Sequence, residues 1–150
     1  YLVHKSEEIG YTPNLLHIAR MINNSVANFV VDKTLFLMKK SNVSLENSSV
    51  LVLGYTFKEN CADTRNTKVM DIVSSLQAFC KVSVYDPYIK ENNIFIENPF
   101  DRELKYDAII LAVSHKEFLS YSIDDFSRLS KGKLVFLDLK GIYSESSWKL

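Results

Sequence analysis

The longest regular pattern in the chain runs over residues 12–40. Leu15, Ile18, Ile22, Val26, Phe29 and Val30 fall on one stripe, and Ala27, Val31, Leu35 and Met38 on the stripe beside it. Apolar residues recurring at three- and four-residue steps predict a helix. Thr12 is placed to cap it, with Pro13 in the first turn, where a missing N–H costs nothing. About 25 residues rising about 1.5 Å each make a rod of about 40 Å. Such a rod, apolar on two faces, needs more than one partner surface: it is either a core helix of this domain or a connecting helix with its own domain on one side and another domain or subunit on the other. A shorter helical stretch, residues 2–9, precedes it, and residues 41–49 read as a polar linker.

Beyond the linker the pattern shortens into strand-length runs at residues 50–53, 81–85, 108–113 and 134–137. Helical patterns separate them. Asn66 or Thr67 caps a helix whose Val69, Ile72, Val73, Leu76 and Phe79 share a face, and Ser122 caps another that passes Phe126 and Leu129 and stops near Gly132. A short helix is expected over residues 115–119, while residues 88–104 are poorly patterned, with turns marked by Asn92, Asn93, Asn98 and Pro99. Strands that read as continuous apolar runs and alternate with helices point to the α/β class. The expected fold is a Rossmann-like, doubly wound parallel sheet preceded by a long α-helix.

Length and composition narrow the function classes. A chain of 150 residues that is 47% apolar fits one domain plus an appendage. Eighteen basic residues balance eighteen acidic ones, which leaves no electrostatic footprint for nucleic acid or an anionic membrane. No apolar run approaches the roughly 20 residues a bilayer crossing needs, and no signal pattern opens the chain, so a cytoplasmic location is expected. The cysteines, Cys61 and Cys80, have neither metal-ligand spacing nor the density of a disulfide scaffold, which fits a reducing compartment and no metal site. The chain starts at Tyr1 and enters a helix at once, as a piece of something longer would.

The candidate chemistry gathers after the first strand. In an open parallel sheet, ligands collect outside the carboxyl ends of the strands, where free N–H groups and a helix N-terminus favour an anion. Only Gly54 is present of the G-x-G-x-x-G fingerprint, since Thr56 and Glu59 occupy the later glycine positions; a dinucleotide is not expected to bind here in the usual manner. A single phosphate, or a diphosphate reached by Lys58, fits better. Lys58 and Lys140 both follow apolar strands and so project over one edge, either as solvated lysines or as ligand contacts. Arg65 either pairs with Asp63 or Asp71 or clamps a phosphate of a neighbouring domain's ligand. Phe57 is a packing anchor or a stacking surface for a base. His115 reads as structural, because no cysteine, serine or carboxylate is visibly placed to use it for acid–base work. A receiver-type domain, which needs acidic residues at the end of its first strand, is excluded by Leu53-Gly54-Tyr55.

The run Leu53-Gly54-x-Thr56-Phe57-Lys58-Glu59-Asn60-Cys61-x-Asp63-x-Arg65-Asn66-Thr67-Lys68-Val69 resembles the opening of the C-terminal domain of the UDP-glucose/GDP-mannose dehydrogenase family. It is most similar to the branch acting on UDP-N-acetylhexosamines in bacterial surface-polysaccharide synthesis. Val84-Tyr85-Asp86-Pro87, Tyr106-Asp107-Ala108, Ala112-Val113-x-His115-x-Glu117-Phe118 and Asp138-x-Lys140-Gly141 follow in the family's order, and Arg20-x-x-Asn23 with Phe29-Val30 resembles its central helix. Lys140 stands where many relatives carry arginine, and Asn24 where many carry aspartate. The resemblance divides the chain into a central, dimerisation helix at 1–45 and a UDP-sugar-binding domain at 46–150.

Such enzymes oxidise the C6 hydroxyl of a nucleotide sugar to a carboxylate with NAD and a cysteine nucleophile. The resemblance implies that Phe57, Lys58 and Lys140 contact the UDP-sugar and that Arg65 reaches toward NAD. NAD itself would be held mainly by an N-terminal domain outside this sequence. It also implies that the nucleophile lies just upstream of Tyr1, so that no catalytic residue is in this stretch and the fragment is inactive alone, and that the chain forms a homodimer through the long helix. The rival expectation is a non-enzymatic scaffold that dimerises through the same helix.

Overall fold

The computed structural model describes residues 2–90 and 94–150. Helices α1 (Leu2–Glu8) and α2 (Asn14–Lys40) open the chain. The sheet then builds from β1 (Ser49–Leu53), β2 (Lys81–Tyr85), β3 (Ala108–Leu111), β4 (Phe136–Asp138) and β5 (Trp148–Lys149), with α3 (Val69–Leu76) after β1 and α4 (Ile123–Arg128) after β3. All five strands are parallel, in the order β2-β1-β3-β4-β5. This is the α/β, doubly wound arrangement that the apolar runs predict.

Both faces of the sheet are covered because successive strand residues point to opposite sides. Val50, Val52, Val84, Ala108, Ile110 and Leu137 face a layer made by α2 and α3. Leu51, Leu53, Ile109, Leu111 and Phe136 face Phe118, Phe126 and Leu129 on the other side. Residues 50–53 are wholly buried, so the run carries no polar alternation.

The helix α2 is buried along only part of its length. Ala27, Val30, Val31, Thr34 and Met38 pack inward, and the buried Thr34 hydroxyl donates to the Val30 carbonyl at 2.8 Å. Nearer the N-terminus, Leu15, Ile18, Met21 and Ile22 are exposed, at 80%, 54%, 70% and 61%. The second of the two predicted stripes is therefore covered by this chain, together with Val26 and Val30 at the end of the first, while the rest of the first stripe is exposed. Among the described residues, no helix is long and apolar enough to cross a membrane.

Several boundaries differ from the pattern for local reasons. The residue capping α2 is Pro13, with no side-chain cap bond. Lys68 stands at the N-cap of α3, although Thr67 Oγ1 still accepts the Val69 N–H at 3.2 Å. The helix α3 ends at Leu76, which leaves Phe79 past its end and half exposed. Ser122 forms the expected cap, reciprocated by Asp125 in a capping box. Residues 115–119 yield only a 3₁₀ turn, Phe118–Ser120. Residues 112 and 113 leave the β3 ladder: both N–H groups turn to the Leu53 carbonyl. Two residues are too short for a periodic signal, so β5 had none; Trp148 is held instead by an edge contact with Phe29 at 5.7 Å. Asn98 and Pro99 start a 3₁₀ turn, and the turns expected at Asn92 and Asn93 lie outside the described residues.

The chain leaves β1 for β2 on one side and returns to β3 on the other, so the switch point lies between β1 and β3. There Gly54 takes φ +83°, donates its N–H to the Tyr85 carbonyl at 2.8 Å, and lies so close to Val113 that an added Cβ would sit 2.6 Å from the Val113 Cβ and carbonyl oxygen. Backbone sign and backbone contact both demand glycine. Gly54→Ala is expected to lower stability by at least about 2 kcal/mol, read as a reduced urea midpoint. An unchanged midpoint would mean the two loops are not in contact.

Candidate functional site

At the carboxyl rim three loops meet, those after β1, β2 and β3, and a buried aspartate ties them together. Asp86, immediately after β2, is 3% exposed. Its Oδ2 accepts the Tyr55 N–H at 2.7 Å, the Thr56 N–H at 3.1 Å and the His115 Nε2 at 2.9 Å, while Oδ1 accepts the Tyr88 N–H at 2.9 Å. Burial pushes this carboxyl's pKa up, but the bonds from His115 and from the Tyr55 and Tyr88 amides outweigh it and hold the group below its ordinary value.

His115, wholly buried after β3, uses both ring nitrogens. Nδ1 accepts the Asn60 N–H at 2.9 Å. That bond assigns the proton to Nε2, which donates to Asp86 and lies 3.1 Å from Thr56 Oγ1. The Thr56 hydroxyl in turn donates to the Lys58 carbonyl at 2.9 Å.

The segment so anchored presents Phe57, Lys58 and Glu59 at the surface. Phe57 is 53% exposed, and the Lys58 ammonium lies 5.6 Å from the centre of its ring. Lys140, two residues beyond β4, reaches the same rim and pairs with Glu59 at 3.0 Å. Glu59 also accepts from Ser114 at 3.2 Å. Its own backbone N–H and Lys140 draw its carboxyl below the ordinary value. Lys140 is aimed by its own strand end: buried Asp138 accepts the Lys140 and Gly141 N–H groups, each at 2.9 Å. Arg65 forks onto Asp63 through Nε at 3.0 Å and an Nη at 2.8 Å, which holds Asp63 at a pKa of about 2. Of the two carboxylates the sequence offered Arg65, this is the nearer in sequence; Asp71 pairs with Lys68 instead.

The rim is closed over Gly54 and cationic at its surface. Val113 fills the space over Gly54 where a pyrophosphate would have to press onto the backbone. Lys58, Lys140 and Arg65 remain at the surface as cations. Cys61 is exposed and Cys80 half-buried, both as free thiols. Among the described residues, no three His, Cys, Asp or Glu side chains converge as a metal site would need.

The sequence pattern of the UDP-glucose/GDP-mannose dehydrogenase family, UDP binding domain, matches residues 51–145, which run from β1 past this rim. The chain belongs to that family. The UDP-N-acetyl-D-glucosamine 6-dehydrogenase of Salmonella typhi is 39% identical over 146 residues, covering 93% of this chain and 34% of that protein. The enzyme of the same name from Pseudomonas aeruginosa is 37% identical over 151 residues, covering 97% and 36%. Among solved structures, the UDP-D-ManNAc dehydrogenase from Pyrococcus horikoshii superposes with a TM-score of 0.75 at 26% identity, over 90% of this chain and 32% of that one. The chain thus spans about a third of the length of its dehydrogenase relatives.

For this family member, the sequence pointed to the exposed cations of the rim and not to the groups that anchor them. Phe57, Lys58 and Lys140 share one edge; Arg65 lies on the same loop as Lys58, occupied by Asp63. Asp86, Thr56 and Asn60, which hold that edge in shape, stand inside the motif runs, but nothing in their spacing names their partners.

The lowered carboxylates fix the sign of the acid response. Asp86 ionises more easily folded than unfolded, so its contribution is full above its ordinary pKa of 3.8 and is lost as pH falls through the lower folded value. Asp107 behaves alike at the opposite end of the sheet, where burial raises its pKa but Lys131 at 2.6 Å and the Ser49 N–H bring it below 3.8. Urea midpoints are expected to be flat from pH 7 to about pH 5 and to fall steeply below about pH 4. Midpoints that rise on acidification would contradict this assignment.

Proposed function

We propose that this chain is the substrate-nucleotide half of an NAD-dependent nucleotide-sugar 6-dehydrogenase. Its substrate is a UDP-N-acetylhexosamine or UDP-glucose, oxidised at C6 to the uronic acid for surface-polysaccharide synthesis. The observation that carries the reading is that Lys58 and Lys140 stand on one rim at the carboxyl ends of the strands, where Lys140 pairs with Glu59, the residue next to Lys58. Two cations there suit a diphosphate. Phe57, exposed beside Lys58, offers its ring to the nucleotide.

The hydride acceptor NAD belongs, in this reading, to an N-terminal domain of the same polypeptide, and the cysteine nucleophile likewise comes from outside these residues. Arg65 exchanges Asp63 for a phosphate that this domain presents. The work of the present residues is binding and orientation.

The exposed stripe on α2 favours a companion proposal. Leu15, Ile22, Phe29 and Phe36 are spaced by seven and are 80%, 61%, 54% and 57% exposed, the spacing of a seam between two paired helices. A second copy of the chain covers it, giving a homodimer. A scaffold without enzymatic activity would share this dimer but not the cationic rim.

Calorimetry with UDP is expected to show binding that weakens about tenfold in Lys58→Ala and in Lys140→Ala. Glu59→Gln, which releases Lys140, is expected to bind about two- to fivefold more tightly. With the upstream sequence restored, UDP-sugar-dependent NAD reduction is expected; a folded full-length protein without it would remove the enzyme reading. Sedimentation at rising concentration should show a dimer that Ile22→Asp disperses, and a strictly monomeric wild type would count against the seam.

A further inference from the structure

Phe57, Lys58 and Glu59 are exposed, on a loop with no helix or strand of its own between β1 and α3. A loop of this kind would sample many shapes, and each would have to be given up when a ligand binds. Yet the three residues are bracketed by two anchors that converge on one ring. On the upstream side, Thr56 is 1% exposed, with its hydroxyl 3.1 Å from His115 Nε2 and donating to the Lys58 carbonyl. On the downstream side, Asn60 is at φ +57° and sends its N–H to His115 Nδ1 at 2.9 Å, while its side-chain Oδ1 accepts the Lys116 N–H at 2.9 Å.

Asp86 holds the ring from behind at 2.9 Å, and Tyr88 packs against it with ring centres 4.9 Å apart. Among the described residues, the imidazole is the side chain within hydrogen-bond distance of both ends of the segment. It has a donor on one nitrogen and an acceptor on the other, in the tautomer that Asn60 imposes.

We propose that His115 is a positioning residue for the diphosphate site. Through Thr56 and Asn60 it fixes the Phe57–Lys58–Glu59 segment in the ligand-ready shape before any ligand arrives, without touching ligand itself. The proposal rests on the reading of Lys58 as a phosphate contact. An acid–base role for His115 is not needed, since both ring nitrogens are occupied by the protein.

The two nitrogens can be tested separately. In His115→Asn the side-chain oxygen takes the place of Nδ1 and keeps an acceptor for the Asn60 N–H. In His115→Gln the side-chain nitrogen takes the place of Nε2 and keeps only the donor to Asp86. Each variant is checked for cooperative melting, then UDP affinity is measured by calorimetry and exchange of the Asn60 amide by NMR. The expected result is a slow Asn60 amide in wild type despite its exposed side chain, exchange at least about tenfold faster in His115→Gln with UDP binding about tenfold weaker, and substantial recovery of both in His115→Asn. A purely structural histidine would lower the melting temperature of both variants while leaving UDP affinity below that temperature unchanged, and this outcome overturns the proposal.

If neither variant folds, the wild-type amide and Thr56→Val decide. An Asn60 amide exchanging at the rate of an open loop, or full UDP affinity in folded Thr56→Val, overturns it. Wild type that shows the protected amide but no UDP binding would instead strike the diphosphate reading, leaving the clamp without a ligand to position.

Discussion

At the carboxyl end of the sheet, one carboxylate takes four hydrogen bonds from three loops. Asp86 receives amides from Tyr55, Thr56 and Tyr88 and the imidazole of His115. A buried carboxylate is costly unless its lone pairs are filled. Here they are filled by groups belonging to β1, β2 and β3, so the three strand ends cannot separate without stranding a charge. In other doubly wound domains an acid at this position, the end of the second strand, faces a ribose. In this chain it faces inward and is spent on holding the loop after β1.

That constraint shapes what remains at the surface. With Val113 packed on Gly54 and Asp86 withdrawn, the usual dinucleotide seat is closed. The same packing pushes Phe57, Lys58 and Glu59 outward, toward Lys140, whose strand end is ordered by Asp138. A second carboxylate, Asp107, pins Ser49 and Lys131 at the opposite end. The sheet is thus secured at both ends by acids, but only its carboxyl end leaves cations exposed at a switch point.

How much of this could be read from the residues depends on range. Residues 50–53 and 108–111 declared themselves as doubly covered strands because every side chain is apolar, and Ser122 declared its cap because Asp125 follows at the right distance; such signals are local. The exposure of Leu15 and Ile22 was not legible, since periodicity says that a face is apolar and not what covers it. The contact of His115 with Asp86 was not legible, because the two lie 29 positions apart and no spacing rule connects them. Arg65 had two acids within reach in sequence, Asp63 and Asp71, and the loop gives it the nearer, Asp63. The exposed cations of the rim were legible because strand ends in a parallel sheet must share an edge; the buried groups that aim them were not, because they meet only when three loops fold together.

The proposed anion-binding rim at the carboxyl ends of β1 and β4 is held in shape by Asp86 and His115. Amide chemical-shift mapping of the 17.2 kDa chain titrated with UDP tests it most directly. Saturable shifts are predicted at residues 54–60 and 138–141, with residues 41–48 at the amino end of the sheet unmoved. Shifts confined to that amino end, or none anywhere at saturating UDP, would contradict the account.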